Sequence, residues 1–154
     1  MSDYSSISET KAHQKMVART LGLICIQLKH RGETHDGSKM VDPELPYFDK
    51  YTPMLQTIKY DSPEYKQSLK DLQVALKHHY AENSHHPEHF ENGVNGMTLI
   101  DLVEMFADWW AATHRTASGD IMKSIDINEK RFEMGPQLAS IFRNTAKEFA
   151  KEKA

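Results

Sequence analysis

Apolar residues recur along this chain at three- and four-residue intervals, the spacing that places side chains on one face of an α-helix. The first such set comprises Val17, Leu21, Ile24 and Leu28. It predicts a helix from Ser6 to about Lys29 with this face buried. Because His13 lies one helical step before Val17, the pattern places this histidine on the same buried face.

The middle of the chain combines loop signals with a second helix. Residues 31–61 contain several Gly and Pro residues and predict loops, with short helical pieces around residues 43–51. The run Ser62-Pro63-Glu64 is typical of a helix start, with serine as N-cap and proline in the first position. The apolar face that follows comprises Tyr65, Leu69, Leu72 and Leu76. The next step of three reaches His79, whereas His78 lies about a quarter-turn away.

Residues 98–113 (TLIDLVEMFADWWAAT) form the most unusual predicted helix, because apolar or small side chains point in nearly every direction. A helix that is apolar all round is typically buried. Its exceptions, Asp101, Glu104 and Asp108, lie three and four residues apart and share one line. Buried carboxylates need cations or hydrogen-bond donors. For Asp101, three residues after Thr98, a capping-box role is as consistent as a ligand role.

Two further helices complete the predicted fold, one around residues 120–132 and one from Pro136. The last helix is predicted to bury Leu138, Ile141, Phe142, Thr145 and Phe149. Since no β-strand pattern exceeds a few residues, we predict an all-α protein, a compact helical bundle. At 154 residues the chain is most simply one domain, with frayed ends at residues 1–5 and 150–154.

Composition narrows the partners and the location. The net charge of −3 argues against general nucleic-acid binding through a positive field but permits a small anionic substrate. No apolar run approaches the roughly 20 residues that span a bilayer, and the N-terminus lacks a secretory pattern, so we expect a cytoplasmic protein with no membrane partner. The single cysteine, Cys25, excludes an intramolecular disulfide and is predicted to be buried. The apolar stripe of the last helix fits a homodimer as well as core packing.

Histidine and aspartate provide the candidate chemistry. His35-Asp36 lies in the run His-Asp-Gly-Ser-Lys. Five of the nine histidines fall within twelve residues, at His78, His79, His85, His86 and His89. Taken singly, His13 could be a core histidine and Asp36 part of an Asp-Gly turn. Together with Asp108 they indicate a divalent metal site, and nitrogen with oxygen ligands suits Mn, Fe, Co, Ni or Zn better than Ca.

This order of residues resembles the HD-domain superfamily of metal-dependent phosphohydrolases. The four positions of that signature would be His13, His35, Asp36 and Asp108. The His-Asp-Gly-Ser-Lys run is similar to the His-Asp-x-Gly-Lys run of its phosphodiesterase branches, with Lys39 matched and Ser38 in place of glycine. More closely, the chain resembles an uncharacterised phage and bacterial group of small HD-like proteins. The stretches that carry this closer resemblance are 31–39, 79–90 and 104–109.

The resemblance also implies ligands and catalytic groups. Many HD nucleotidases carry a glutamate three residues after the Asp of the His-Asp pair, where this chain has Lys39. A carboxylate base would then come from Glu88 or Glu104, or metal-bound hydroxide would suffice without one. Two-metal branches add two histidines, for which His79 and His86 are our choices. His85 and His89 are the substitutes for these ligands, and helix capping or phosphate binding is the alternative role for this group of histidines.

The resemblance implies a phosphohydrolase of a nucleotide or other small phosphate ester, holding one or two divalent transition-metal ions. The predicted catalytic residues are Asp36, Lys39 and Glu104. The predicted substrate-binding residues are Arg31, Lys39, His85, His89, Lys123 and Arg131. Two alternatives remain open at this point: an HD-type di-iron oxygenase that cleaves a C–C or C–P bond, and a non-catalytic nucleotide- or metal-binding module.

Overall fold

A computed structural model describes residues 5–57, 63–115 and 119–151, and all regular structure within these ranges is helical. The α-helices are α1 Ser6–Thr34, α2 Leu45–Thr57, α3 Pro63–Glu82, α4 Leu99–Thr113, α5 Ile121–Arg131 and α6 Pro136–Lys151. Short 3-10 helices occupy Gly37–Met40, Pro87–His89 and Gly93–Gly96. The predicted all-α class is confirmed.

The chain divides into two units, one up to His35 and one from Asp36 onward. The predicted fraying of the ends falls mostly on residues 1–4 and 152–154, which lie outside the described residues, as does the predicted N-cap Ser62. Among the described helices, none is long and apolar enough to cross a membrane.

The first unit consists of α1, a continuous helix of 29 residues. Ser5 is its N-cap and accepts a hydrogen bond from the backbone N–H of Ser8 at 3.3 Å. None of the side chains of α1 is buried, and Leu21 is 55% exposed. The predicted burial of the apolar face, of His13 and of Cys25 is therefore wrong. Periodicity reports which side chains share a face but does not show that anything covers that face.

The second unit contains two hydrophobic clusters. The larger cluster joins α4, α5 and α6 through Met105, Phe106, Ile125, Met134, Phe142 and Ala146. The smaller joins α2 to α3 through Tyr51, Leu72 and Ala75. The short helical pieces predicted around residues 43–51 are in fact part of the 13-residue α2, which continues through Pro53. A 3-10 turn at Gly37–Met40 precedes it.

Helix α4 is less enclosed than its composition predicts. Leu99 is 67% exposed, so burial on all sides is wrong. The buried side carries Asp101 and Glu104 beside Met105 and Phe106. The first two carboxylates of the acidic line therefore face the interior, as the pattern indicates, and Asp108 is half-buried. In α6, Phe142 is buried as predicted, whereas Ile141 is 58% and Phe149 44% exposed, which contradicts their predicted burial.

Removal of Ile125 tests the larger cluster. Ile125 is fully buried, whereas Ile127 on the same helix is 65% exposed. We expect Ile125→Ala to lower the free energy of unfolding by about 2–5 kcal/mol, because it removes core contacts and leaves a cavity. The matched control Ile127→Ala changes it by less than about 0.5 kcal/mol. Urea unfolding followed by circular dichroism measures both, and equal losses would contradict this account of the core.

Candidate metal centre

Four side chains of the second unit converge on one point: Asp36, His79, His85 and His86. Each offers one ligand atom, and these atoms all lie within 4.8 Å of one another. Asp36 precedes the first 3-10 helix with a left-handed backbone (φ 56°), a conformation that aspartate tolerates better than most residues. His79 lies in the last turn of α3, and the other two histidines lie in the turn that follows it.

The spacing of the donor atoms fits a first-row metal ion. The Nε2 atoms of His79 and His86 are 2.9 Å apart. Oδ1 of Asp36 lies 3.2 Å from Nε2 of His79 and 3.4 Å from Nε2 of His85. Ligands about 2.1 Å from an ion are roughly 3.0 Å apart in octahedral and 3.4 Å apart in tetrahedral geometry. Two of the three separations fall in this range, and the third, 2.9 Å, lies just below it.

Glu44 orients His79. This carboxylate is fully buried, and its Oε2 lies 3.0 Å from Nδ1 of His79. Its Oε1 lies 2.8 Å from Nδ1 of the neighbouring His78. Because a carboxylate accepts but does not donate hydrogen bonds, Nδ1 of His79 must carry the proton. In the neutral imidazole the lone pair is therefore on Nε2, the atom that faces the cluster.

Glu104 holds His85 in the same way. Its Oε1 lies 3.2 Å from Nδ1 of His85, and both side chains are buried. Nδ1 of His85 therefore donates, and the lone pair of the neutral ring is on Nε2, facing Asp36. A carboxylate behind a ligating imidazole is the usual outer-shell arrangement of a metal site.

The turn that carries His85 and His86 is tied to α4 by a short hydrogen bond. Ser84 Oγ donates to Oδ1 of Asp101 at 2.6 Å. The other oxygen of Asp101 accepts from the backbone N–H of Thr98 at 2.9 Å, which completes a capping box. Asp101 therefore has the capping role that its spacing allowed. It holds the turn in place through Ser84 and is not itself one of the converging ligand groups.

The chemistry of the donor set favours a cation. With Nδ1 protonated on both rings, Nε2 of His79 and Nε2 of His85 are acceptors that face a third acceptor, Oδ1 of Asp36. Three acceptors at this range repel one another unless protons or a cation lie among them. The arrangement is therefore suited either to charged imidazoles or to a metal ion.

Two pKa values follow from this environment. Burial alone would raise the pKa of Asp36, but the adjacent imidazoles of His79 and His85 and the ammonium of Lys39 outweigh burial and hold that pKa well below its usual value. Burial, reinforced by His85 and His79, lowers the pKa of His86 to about 3. His86 is therefore neutral at physiological pH and offers a lone pair.

The other predicted ligands lie in different places. The ligand atoms of Asp108 and His85 are within 4.8 Å of each other, so Asp108 is close to the cluster. His35 directly precedes Asp36 in the chain. His13 is exposed on α1, and the 22 residues from His13 to His35 rise about 33 Å along the helix. One ion therefore cannot bind both His13 and His35 of the same chain.

The predicted substrate-binding cations are mostly engaged elsewhere. Arg131, predicted to bind the substrate, donates to Glu88 at 2.7 Å. Glu88 is one of the two candidates for the catalytic base, so these two predicted residues form an ion pair with each other. Lys123 is 80% exposed beside Asp120, and Arg31 lies in the last turn of α1. Lys39 is the cation at the centre, with Nζ 2.6 Å from Oδ2 of Asp36.

Among the five clustered histidines, the structure selects three. His85, predicted to bind substrate with ligation as its alternative role, lies in the cluster with His79 and His86 and is 2% exposed. His89 is exposed, and its Nδ1 lies 3.0 Å from the carbonyl oxygen of Tyr80. His78 is more exposed than His79, as the helical phase predicts.

Sequence reasoning missed Glu44. It lies between Pro43 and Pro46 in a stretch without clear periodicity, and no local signal distinguishes it from a surface glutamate. Its 34- and 35-residue separations from its two histidines explain why only the folded chain reveals it.

The fold and the cluster define an all-α protein with a carboxylate-supported group of histidines that could hold a metal ion. The chain belongs to DUF5662, a family of unknown function, whose model matches residues 2–149. The comparisons with curated proteins and with solved structures found no match. The resemblance to the HD-domain superfamily therefore stays a prediction.

Substitution of Glu44 tests the orientation of His79. We expect Glu44→Gln to weaken binding of Co²⁺ by about 10- to 100-fold. The carboxamide has only one acceptor oxygen, which is neutral, so it cannot accept from the Nδ1–H groups of both histidines as the carboxylate does. Titration followed by visible absorption measures the affinity. Glu82→Gln, an exposed residue at the end of α3, is the matched control. Equal affinities in the two variants would contradict the assigned role of Glu44.

The low pKa of His86 predicts the pH dependence of the metal-free protein. Between about pH 6.5 and pH 3, His86 binds a proton in the unfolded chain but not in the folded chain. The free energy of unfolding therefore falls as the pH falls through this window, by at most about 1.4 kcal/mol per pH unit from this group. Urea unfolding in EDTA at pH 7, 6 and 5 measures the slope. His86→Gln should flatten it, and an unchanged slope would contradict the assignment.

Proposed function

We propose that this protein is a metal-dependent phosphohydrolase acting on a nucleotide or another small phosphate ester. The observation that carries the proposal is the convergence of three imidazole Nε2 atoms and one carboxylate oxygen, with buried carboxylates behind His79 and His85. The order of residues that resembles the HD-domain superfamily supports the same chemistry. The proposal keeps the predicted cytoplasmic location and the small anionic substrate.

The residues that would hold the metal are Asp36, His79, His85 and His86. Asp108 is proposed as a further ligand because of its proximity to His85, and His35 because it is bonded to Asp36. Such a set accommodates one or two divalent ions of the Mn, Fe, Co, Ni or Zn type. When bound, the metal supplies a Lewis acid for a phosphoryl oxygen and lowers the pKa of a bound water toward roughly 7.

Lys39 is proposed to neutralise the phosphate. Its ammonium is held by Asp36 and lies 5.1 Å from the ring centre of Phe48, so it is kept beside the cluster. A fixed cation at this place stabilises negative charge that develops on a transferring phosphoryl group. Glu104, predicted to act in acid–base catalysis, is proposed instead to orient His85, because its carboxylate faces Nδ1 of that ring.

The nitrogen-rich donor set also favours a second candidate. Three histidines with a carboxylate are suited to iron, so an HD-type di-iron oxygenase that cleaves a C–C or C–P bond remains the alternative. A non-catalytic module that binds metal or nucleotide is the third.

Phosphate release separates these candidates. We expect the full chain to release phosphate from nucleotides or simple phosphate esters with Mn²⁺, Co²⁺ or Ni²⁺, and to lose activity with EDTA. Asp36→Ala should reduce kcat/KM at least about 100-fold, since it removes a ligand and the partner of Lys39. The matched control Asp49→Ala changes an exposed aspartate of α2 and should retain activity.

Three outcomes would contradict the proposal. Full activity in Asp36→Ala would refute the site. Stoichiometric iron with oxygen-dependent turnover and no phosphate release would favour the oxygenase. Tight binding of a nucleotide without turnover under any metal would favour the non-catalytic module.

A further inference from the structure

A cavity of about 560 Å³ lies in the second unit next to the segment that carries the cluster. One wall is formed by residues 87–95, and the other by residues 131–138 between α5 and α6. The first wall begins at Pro87, the residue that follows the proposed metal ligand His86 in the chain.

One wall of the cavity presents two planar groups, a guanidinium and an aromatic ring, which are held in place by neighbouring side chains. The guanidinium carbon of Arg131 lies 4.7 Å from the ring centre of Phe132, and Arg131 donates to Glu88 at 2.7 Å. Phe132 in turn stacks on Trp109, with ring planes 6° apart. These contacts hold the guanidinium and the ring in place, and such planar groups are suited to stacking against an aromatic ligand.

The charged side chains of the walls are mainly acceptors, since carboxylates come from Glu88, Glu91 and Glu133. Carboxamides that both donate and accept come from Asn92, Asn95 and Gln137. Against three carboxylates the lining has one guanidinium, and that guanidinium is paired with Glu88. The charge balance disfavours a second phosphate and fits a neutral group that donates N–H hydrogen bonds.

We propose that this cavity binds the organic part of the substrate, a planar group that carries an amino function, such as the base of an adenine or cytosine nucleoside. The inference rests on the proposed function only in placing the phosphate end of the same molecule at the cluster. It assigns Arg131 to the organic group rather than to the phosphate.

Nucleosides without phosphate test the cavity independently of hydrolysis. Adenosine, cytidine and uridine are titrated into the ¹⁵N-labelled full chain, and amide chemical shifts are recorded. We expect adenosine and cytidine to shift the amides of residues 92–95 and 132–135. Uridine should bind about fivefold more weakly, as the loss of one hydrogen bond implies.

A cavity-filling variant provides the structural control. A Cβ added at Gly135 meets nothing within 4 Å, so Gly135→Trp places a ring at the cavity wall without strain on the backbone and should abolish nucleoside binding. Gly135→Ala, which adds little volume, should retain it. Gly22→Trp, at an equally open position in α1, controls for the added tryptophan. Circular dichroism and metal content verify that each variant is folded.

The outcomes distinguish the two proposals. Phosphate release from simple esters without nucleoside binding would overturn this inference alone, as would undiminished binding in Gly135→Trp. Equal binding of uridine and adenosine would overturn the preference for an amino group. Nucleoside binding at the cavity without metal-dependent phosphate release under any condition would overturn the phosphohydrolase proposal and retain the ligand site.

Discussion

The hydrogen bonds from two adjacent histidines to Glu44 are the interaction on which the cluster depends. A carboxylate that is fully removed from solvent is costly to bury unless donors satisfy it, and His78 and His79 are those donors. In return the carboxylate fixes the tautomer of His79 and aims its Nε2 at Asp36. The two hydrogen bonds thus explain both how the buried charge of Glu44 is tolerated and why the imidazole of His79 is oriented.

The acidic line on α4 supports this arrangement with three different roles. Asp101 caps the helix and holds the turn after α3 through Ser84. Glu104 orients His85, and Asp108 lies close to the same ring. A single helix therefore positions the histidine turn from behind, while the hydrophobic cluster with α5 and α6 fixes the helix itself. The same short segment continues into the cavity wall, which links ligand geometry to the proposed binding of the organic group.

Helix periodicity predicted much of this, because amphipathic spacing and capping are local properties of a chain. It located the first residue of α3 at Pro63, gave α4 its capping box, and separated His79 from His78. It failed for α1, where the apolar face is present but no side chain is buried. It also overestimated the burial of α6, since Ile141 and Phe142 are adjacent and only Phe142 faces the core.

By itself the sequence determined the helical class, the His-Asp pair, the histidine-rich segment and the inward acidic line, all of which depend on neighbours within a few residues. Only the tertiary structure decided which of these residues meet. It placed Glu44 behind His79, brought His85 into the centre rather than His89, paired Arg131 with Glu88, and left His13 exposed on α1. The reason is physical: these contacts join residues separated by tens of positions, and no local spacing encodes the distances between them.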